Sequence, residues 1–422
     1  NTSTLYNPLP RAMASAETST LWPFKATFSA VTLCLGTAIH GLFNQHVSDV
    51  APGYFYSIAV SSPFLGLIGY SLLIVFNNQI HVIQQQQNAA EPKGDGIVAS
   101  SSSSSPHQFT WPLVRSALKY CTWIGLCFAV SNILMDFGRS GSAPGVPDVP
   151  TVLSVVLGKL IVPTSLALES VLDRHRPTAW QLSGVSVLLS GVLLTALLGK
   201  QHGDSDSDNS TTTNGHQHSP WYSLKVLCLI LSSVPTALGF YIVKVARRNL
   251  PEMSGIQLWL VLCVPELFFS IGLSLASQPG PLHDRVQTLW NGVVCVLMGL
   301  QPPDTQEGDA TNAPQCSEAA AFFWTGLPFG FALNLAIPIL IQHKGSTSVP
   351  LFRALALPIG SLLAMSHLDM VIHTPFSWSA VAGVLLATLG LLLFYGADIQ
   401  SMLGAGKDGG AYTAIRDRDL HV

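Results

Sequence analysis

Charge is what this sequence has least of. Only 10% of its 422 residues are Asp, Glu, Lys or Arg, where a soluble domain carries about 25%. A water-soluble protein of this size has too much surface to cover with so few charges. Hydrophobic residues make up 48%, and the mean hydropathy is +0.41. The formal net charge of −3 leaves no basic field to attract nucleic acid. Metal-ligand spacings, a phosphate-cradling glycine loop and a nucleophile motif are also missing, so the chain does not read as an enzyme and offers no cofactor site. Asp204, Asp206 and Asp208 with His202, His216 and His218 read as a solvated polar loop rather than a metal site. Of the seven cysteines, Cys34, Cys121, Cys127, Cys228 and Cys263 fall in apolar runs and behave there as small apolar residues. Only Cys295 and Cys316 lie outside such runs.

Those runs are what the sequence does have. A bilayer core of ~30 Å needs about 20 apolar residues of helix. Ten segments qualify: Lys25–Val47, Gly53–Phe76, Leu113–Gly138, Val146–Ser170, Thr178–Leu198, Tyr222–Ala246, Ser254–Ser277, Glu318–Gln342, Thr347–His367 and Ser377–Ala397. The third opens with Arg115 and Lys119, so its first turns read as an interfacial stretch. Low-complexity composition marks 77–110, with its QQQQ and serine run, and 201–219 as disordered insertions. The connection 282–317 is long and acidic.

Basic residues favour cytoplasmic loops. With the N-terminus in the cytosol, only Arg139, Lys200, Lys225 and Arg285 fall on the far side; Lys159 and Arg353 lie within spans, and the remaining Lys and Arg fall inside. An even span count returns the C-terminus to the cytosol. On this orientation the sequon Asn209-Ser210-Thr211 falls on the luminal side, where glycosylation occurs. Cys295 and Cys316 fall there too, where thiols oxidise.

The halves of the chain match at an offset of about 200 residues. Trp123-Ile-Gly-Leu-Cys-Phe128 in the third span returns as Trp324-Thr-Gly-Leu-Pro-Phe329 in the eighth. His175-Arg-Pro-Thr-Ala-Trp180 precedes the fifth span and His373-Thr-Pro-Phe-Ser-Trp378 the tenth. Pro52, Pro63 and Pro163 have counterparts in Pro251, Pro265 and Pro358. A unit with an odd number of spans is inverted in its second copy, the symmetry of many secondary transporters. The expected fold is an all-α polytopic membrane protein with ten transmembrane helices in two inverted five-helix repeats. Its organisation is a cytosolic tail (1–24), a first repeat (25–200), a luminal polar loop (201–219), a second repeat (220–397, with the luminal 282–317 loop) and a cytosolic tail (398–422).

Several segments resemble the chloroquine-resistance-transporter-like family of the drug/metabolite transporter superfamily. The first span ends Leu42-Phe43-Asn44, with Pro52 before the second. The fourth holds Lys159-Leu-Ile-Val-Pro163-Thr-Ser, where family members often read Gln-x-x-x-Pro. After the seventh comes Cys295-Val-Leu-Met-Gly299, an insertion, then Cys316 just before the eighth span. A family member carries a further cysteine pair between these two, absent here. The resemblance covers about residues 25–397. It implies alternating-access transport of amino acids, small peptides or glutathione-like thiols, often proton-driven, across a vacuolar or plastid membrane. It also implies a Cys295–Cys316 disulfide closing the acidic insertion. The tail sequence Tyr412-Thr-Ala-Ile415 looks like a tyrosine-based sorting signal and favours a vacuolar or lysosomal membrane over a plastid.

An ionisable group inside a bilayer costs about 2.5–3.5 kcal/mol on insertion scales, so each needs a reason. Lys159 lies about 15 Å along its helix from Val149. It either attracts a carboxylate substrate or pairs with Glu266, which sits near the midplane beside Pro265 and is the candidate proton-coupling group. Arg353 is only about 9 Å into its span, where it either joins Lys159 at the substrate or reaches the headgroups. Pro163 and Pro358 free backbone carbonyls where the cavity is expected. Asn44, Asn132 and Asn334 serve either substrate contacts or interhelical bonds, and His40 reads as a packing histidine. The expected partners are lipids, a small-molecule substrate and protons. Two other readings are a nucleotide-sugar or phosphate-ester antiporter, which lacks here a paired Lys/Arg motif after Arg353, and a receptor acting through the acidic luminal loop.

Overall fold

The computed structural model describes residues 22–51, 54–90, 110–139, 149, 153–154, 157–174, 176–198, 220–278, 280–301, 315–344, 349, 352–353, 356, 378–394 and 396. These form helices α1 (Trp22–Val50), α2 (Phe55–Ala90), α3 (Trp111–Arg139), α4 (Ile161–Leu172), α5 (Ala179–Leu198), α6 (Pro220–Asn249), α7 (Gly255–Ser277), α8 (Leu282–Met298), α9 (Cys316–Lys344) and α10 (Trp378–Phe394). A 3-10 turn, Gly158–Leu160, leads into α4. There is no strand among the described residues. Among the described residues, five stretches are long and apolar enough to cross a bilayer: Tyr56–Ile80, Trp111–Gly138, Trp221–Asn249, Gly255–Ser277 and Cys316–Ile341. Shorter apolar stretches, Phe28–Asn44 and Val381–Phe394, lie in α1 and α10. The chain is an all-α, multi-pass integral membrane protein.

Two expectations change. Helix α2 does not stop at Phe76 but runs through the glutamine tract to Ala90, so residues 77–90 are helical and not a disordered insertion. Gln and Ala are good helix formers, and extending an existing helix costs no new nucleation. The 282–317 connection is also not loop throughout, because α8 occupies its first half. Residues 91–109, the 201–219 loop with Asn209, and most of the span expected at 347–367, including Pro358, lie outside the described residues. Of that span Val349, Phe352, Arg353 and Ala356 are described, all helical.

Local chemistry starts the helices where the sequence breaks. Ser254 Oγ accepts from the Gln257 amide at 3.2 Å, while Gln257 Oε1 accepts from the Ser254 amide at 2.9 Å, a reciprocal cap at the head of α7. Thr178 and Gln181 repeat the arrangement ahead of α5. Helix α8 ends at Gly299, whose φ of 69° is the left-handed conformation that glycine adopts without strain.

The helices pack in pairs. Helix α9 runs along α1, α3 lies between α6 and α7, α2 packs on α7 and α8, and α4 lies on α6. Helices α5 and α10 form a pair of their own. Gly184 makes that pair possible: a Cβ there would overlap the Phe394 backbone, and one at Gly390 would sit 2.5 Å from the Leu188 nitrogen. Small residues let backbones approach where lipid supplies no hydrophobic drive.

Two ends of the bundle are tied differently. At one end, Cys295 and Cys316 form a disulfide between α8 and α9. Trp324 Nε1 donates to the Leu297 carbonyl at 2.8 Å, and His46 meets Glu318 at 3.0 Å. The disulfide closes a separation of 21 residues. Cys316→Ser is expected to lower stability by about 3 kcal/mol, read as a lower midpoint of thermal unfolding in detergent for oxidised protein and no difference after reduction of both.

At the opposite end, beyond the fourth span, Lys244 Nζ donates to Glu169 Oε1 at 3.1 Å and to Asp173 Oδ2 at 2.9 Å. The Tyr241 hydroxyl donates to Asp173 Oδ1 at 2.8 Å. Partial burial alone would raise the Asp173 carboxyl. The hydrogen bonds from Lys244 and Tyr241, with the charges of Lys244 and Arg248, outweigh it and hold the group below the ordinary carboxylate value. A carboxyl lowered by folding contributes stability that is complete at neutral pH and lost as pH falls through its folded value, here below about pH 4. Asp173→Asn is therefore expected to lower thermal stability more at pH 7 than at about pH 3. An equal loss at both pH values would show that the contact is not ionic.

Candidate functional site

A cavity of about 240 Å³ lies among α1, α2, α3, α6, α7 and α9 and is also lined by Arg353. Its far end, towards the α6–α7 turn, is an aromatic floor. The Phe128 ring stacks on Trp259 with centroids 6.2 Å apart and meets Phe240 edge-on at 5.5 Å. The Arg353 guanidinium lies 5.2 Å from the centre of the Phe240 ring, a cation–π contact. Arg353 thus faces the cavity and does not reach for headgroups.

The walls are polar in a regular way. On α1, His40 Nδ1 lies 3.1 Å from the Gly326 carbonyl of α9, and His40 Nε2 lies 3.1 Å from Asn44 Nδ2. A carbonyl accepts only, so Nδ1 carries the hydrogen and Nε2 accepts from Asn44. On α3, Ser131 Oγ donates to the Ser232 carbonyl at 2.9 Å and meets the Thr236 hydroxyl. Asn132 and Asp136 continue the same face of α3, and Asn334 faces them from α9. Tyr70 is buried with its ring edge-on to Phe331 at 5.4 Å.

Glu266 lines the cavity from α7. Its helix turn is approached very closely by α3: a Cβ on Gly125 would lie 2.7 Å from the Glu266 nitrogen and 3.1 Å from the Pro265 carbonyl carbon. Glu266 makes no ion pair with Lys159; the Lys159 ammonium instead donates to the Arg353 carbonyl at 2.8 Å.

Of the residues singled out from sequence, the cavity brings together His40, Asn44, Asn132, Glu266, Asn334 and Arg353. Lys159 and Pro163 are not part of its lining, and Pro358 and Asn209 lie outside the described residues. Sequence reading missed Asp136, because a carboxylate near the end of a span draws no notice; it read His40 as a packing histidine, and both ring nitrogens are hydrogen-bonded within the protein. The aromatic floor was equally hidden: Phe128, Phe240 and Trp259 are ordinary residues for a membrane span, and only the packing sets them at one level.

Comparison with known proteins agrees with this architecture. Residues 129–394, well over half of the chain, match the family profile described as CRT-like, chloroquine-resistance transporter-like. The chain belongs to the chloroquine-resistance transporter-like family. Members are generally transporters of the drug/metabolite superfamily rather than enzymes. A curated relative, Crt homolog 3 of Dictyostelium discoideum, is 23% identical over 288 residues, which is 64% of this chain and 56% of the relative. The match therefore spans little more than half of that relative's length. A solved crystal structure of another protein aligns over 88% of this chain and 97% of its own at 14% identity, with a TM-score of 0.39, too loose a likeness to carry an argument.

Proposed function

We propose that this family member is a secondary active transporter, built as two inverted five-helix repeats, that moves small solutes through the central cavity by alternating access. Its substrates are amino acids, small peptides or glutathione-like thiols, and the membrane is a vacuolar or lysosomal one with the disulfide end in the lumen. Glu266 is the proton-coupling group.

The observation that carries this reading is an asymmetry between helix pairs that the repeat makes equivalent. The repeat maps α1 onto α6, α2 onto α7 and α3 onto α9. The pair α1–α9 then corresponds to α6–α3, and both are closely packed. The pair α3–α7 corresponds to α9–α2. Here the two pairs differ: α3 packs along α7 with backbone contact at Gly125, whereas α2 and α9 meet through side chains, Gly69 and Tyr70 of α2 against Phe331 of α9. An inverted-repeat carrier needs this difference, since its two states exchange the conformations of the halves. On this reading the cavity is closed where α3 packs on α7, and its mouth lies between α2 and α9 towards the disulfide end. In the opposite state Gly326, the counterpart of Gly125, would pack on Pro63 as Gly125 now packs on Pro265.

The test is uptake of labelled glutathione into proteoliposomes of the purified protein, with unlabelled glutathione preloaded. Saturable uptake, accelerated by the preload and raised by an inside-acid gradient, is the expected result. Folded protein showing no counterflow of glutathione, single amino acids or small peptides would overturn the transport reading.

A further inference from the structure

The first turns of α3 have two unlike sides. Ala117, Cys121 and Ile124 are wholly buried, on the side that packs on α6 and α7. Half a turn round the helix, Trp111, Arg115, Leu118, Lys119, Thr122 and Trp123 are all exposed. The stretch belongs to a segment long and apolar enough to cross the membrane, so this outer side meets lipid. Trp111 and Trp123 stand well clear of the bundle, 75% and 63% exposed. Trp111, Arg115, Lys119 and Trp123 follow at four-residue intervals and so line up along one side of the helix, two cations bracketed by two indoles. Thr122 hides its hydroxyl by donating to the Leu118 carbonyl at 2.7 Å. Arg115 and Lys119 have no hydrogen bond or ion pair with any described residue. Their level is fixed by Tyr120, whose hydroxyl accepts from Asn249 Nδ2 at 2.8 Å, at the end of α6 away from the disulfide.

We infer that Arg115 and Lys119 form a binding site for the phosphate of an anionic phospholipid, whose acyl chain lies on Leu118 and Trp123. The inference stands on the membrane placement of α3 and holds whether or not the protein is a carrier. An uncompensated cation is costly among acyl chains. Lys119 lies about 12 Å along the helix from Trp111 at the helical rise, inside the apolar stretch and not beyond it. Both side chains are long enough to bring their charges up to the headgroups, where Trp111 marks the boundary. The phosphate is the group of matching charge at that depth. Residues four apart on a helix have Cβ atoms about 5–6 Å from each other. Two such side chains can therefore close on a single phosphate through charge-assisted hydrogen bonds of about 2.8 Å. The planar guanidinium takes two oxygens and the ammonium a third. A zwitterionic lipid brings its own cation next to the phosphate, and that cation is repelled by the pair. An anionic lipid does not, and this difference gives the site its selectivity.

The experiment follows the thermal midpoint of the full chain, purified in an uncharged detergent, as phosphatidylglycerol, phosphatidylcholine or soluble glycerol phosphate is added. Phosphatidylglycerol is expected to stabilise saturably, with half its effect at a concentration at least tenfold below that of phosphatidylcholine, and glycerol phosphate to do nothing. Arg115→Gln with Lys119→Gln should raise the phosphatidylglycerol requirement at least tenfold. Arg174→Gln with Arg176→Gln removes the same charge from exposed positions between α4 and α5 and should change it by less than about twofold. A second readout locates the lipid. In phosphatidylcholine nanodiscs, a small fraction of chain-brominated phosphatidylglycerol should quench tryptophan fluorescence more than the same fraction of brominated phosphatidylcholine, and Trp123→Phe should remove the excess. If the double glutamine variant does not fold, the three additives on unmodified protein and the bromine comparison decide. Phosphatidylcholine as effective as phosphatidylglycerol, equal weakening by the Arg174/Arg176 variant, or excess quenching that survives Trp123→Phe would each overturn the site. Glycerol phosphate as effective as the lipid would overturn it too, leaving a site for soluble phosphate.

Discussion

Gly125→Leu is expected to arrest the protein with its cavity open at the α6–α7 end, and Gly326→Leu to arrest it open at the disulfide end. The reason is what each new side chain would meet. A Cβ at position 125 runs into the Glu266 and Pro265 backbone, which cannot rotate away. A Cβ at 326 lies 2.9 Å from the Phe43 Cβ, a side-chain atom and not backbone. The state observed here therefore resists a side chain at 125 more strongly than one at 326, where Phe43 must shift. Overpacking of this kind costs roughly 1–3 kcal/mol, enough to shift a two-state equilibrium by up to about a hundredfold at 1.4 kcal/mol per decade. The readout is labelling of Ser62→Cys, an exposed position on the cavity wall, by a membrane-impermeant thiol reagent. Gly326→Leu should be labelled from the disulfide side and Gly125→Leu from the other, with counterflow lost in both. Labelling of both variants from the same side would remove the helix-pair exchange from the mechanism.

Glu266→Gln is expected to abolish the response to a pH gradient while counterflow stays within about threefold of the parent. Coupling to one proton is worth about 1.4 kcal/mol per pH unit, a tenfold accumulation ratio. The variant should show no accumulation at any gradient, because the amide occupies the same space and hydrogen-bonding position but carries no exchangeable charge. The site suits the role: the carboxyl is in the cavity, on the turn that α3 covers through Gly125, so separating α3 from α7 changes its access to water. Gradient-driven accumulation that survives the substitution would move the proton to another titratable group on the wall, such as His40 or Asp136. If counterflow is lost as well, Glu266 binds substrate and does not act only as a coupling group.

Much of the architecture was legible in the residues. The apolar runs predicted the helices, since about 20 residues without a charge have few other places to go. The Trp-x-Gly-Leu-x-Phe match between α3 and α9 is the basis of the proposed repeat, and its glycine is the residue on which the proposed exchange turns. Asn44, Arg353 and Glu266 were identifiable because polar groups are costly in a bilayer and therefore conspicuous. The cysteines stood out for the same reason in reverse, as the two outside the spans, and α8 brings them within a Cα–Cα distance of 4.8 Å.

Other features had no signature in one dimension. Helix α8 is shorter than a span and too amphipathic to register as one; it forms because its apolar face has α2 and α9 to lie on. Lys159 and Glu266 look like a pair when only their depths are known, yet depth says nothing about rotation around a helix axis, and Lys159 turns to the Arg353 carbonyl instead. By itself the sequence determined the membrane class, the family and the stock of polar groups within the spans, because hydropathy and composition are sums over local residues. The tertiary structure alone decided which of those groups face one cavity and which aromatic rings share its floor. Those depend on helix rotation and on contacts between residues more than a hundred positions apart, such as Phe128 with Phe240 and Gly125 with Glu266.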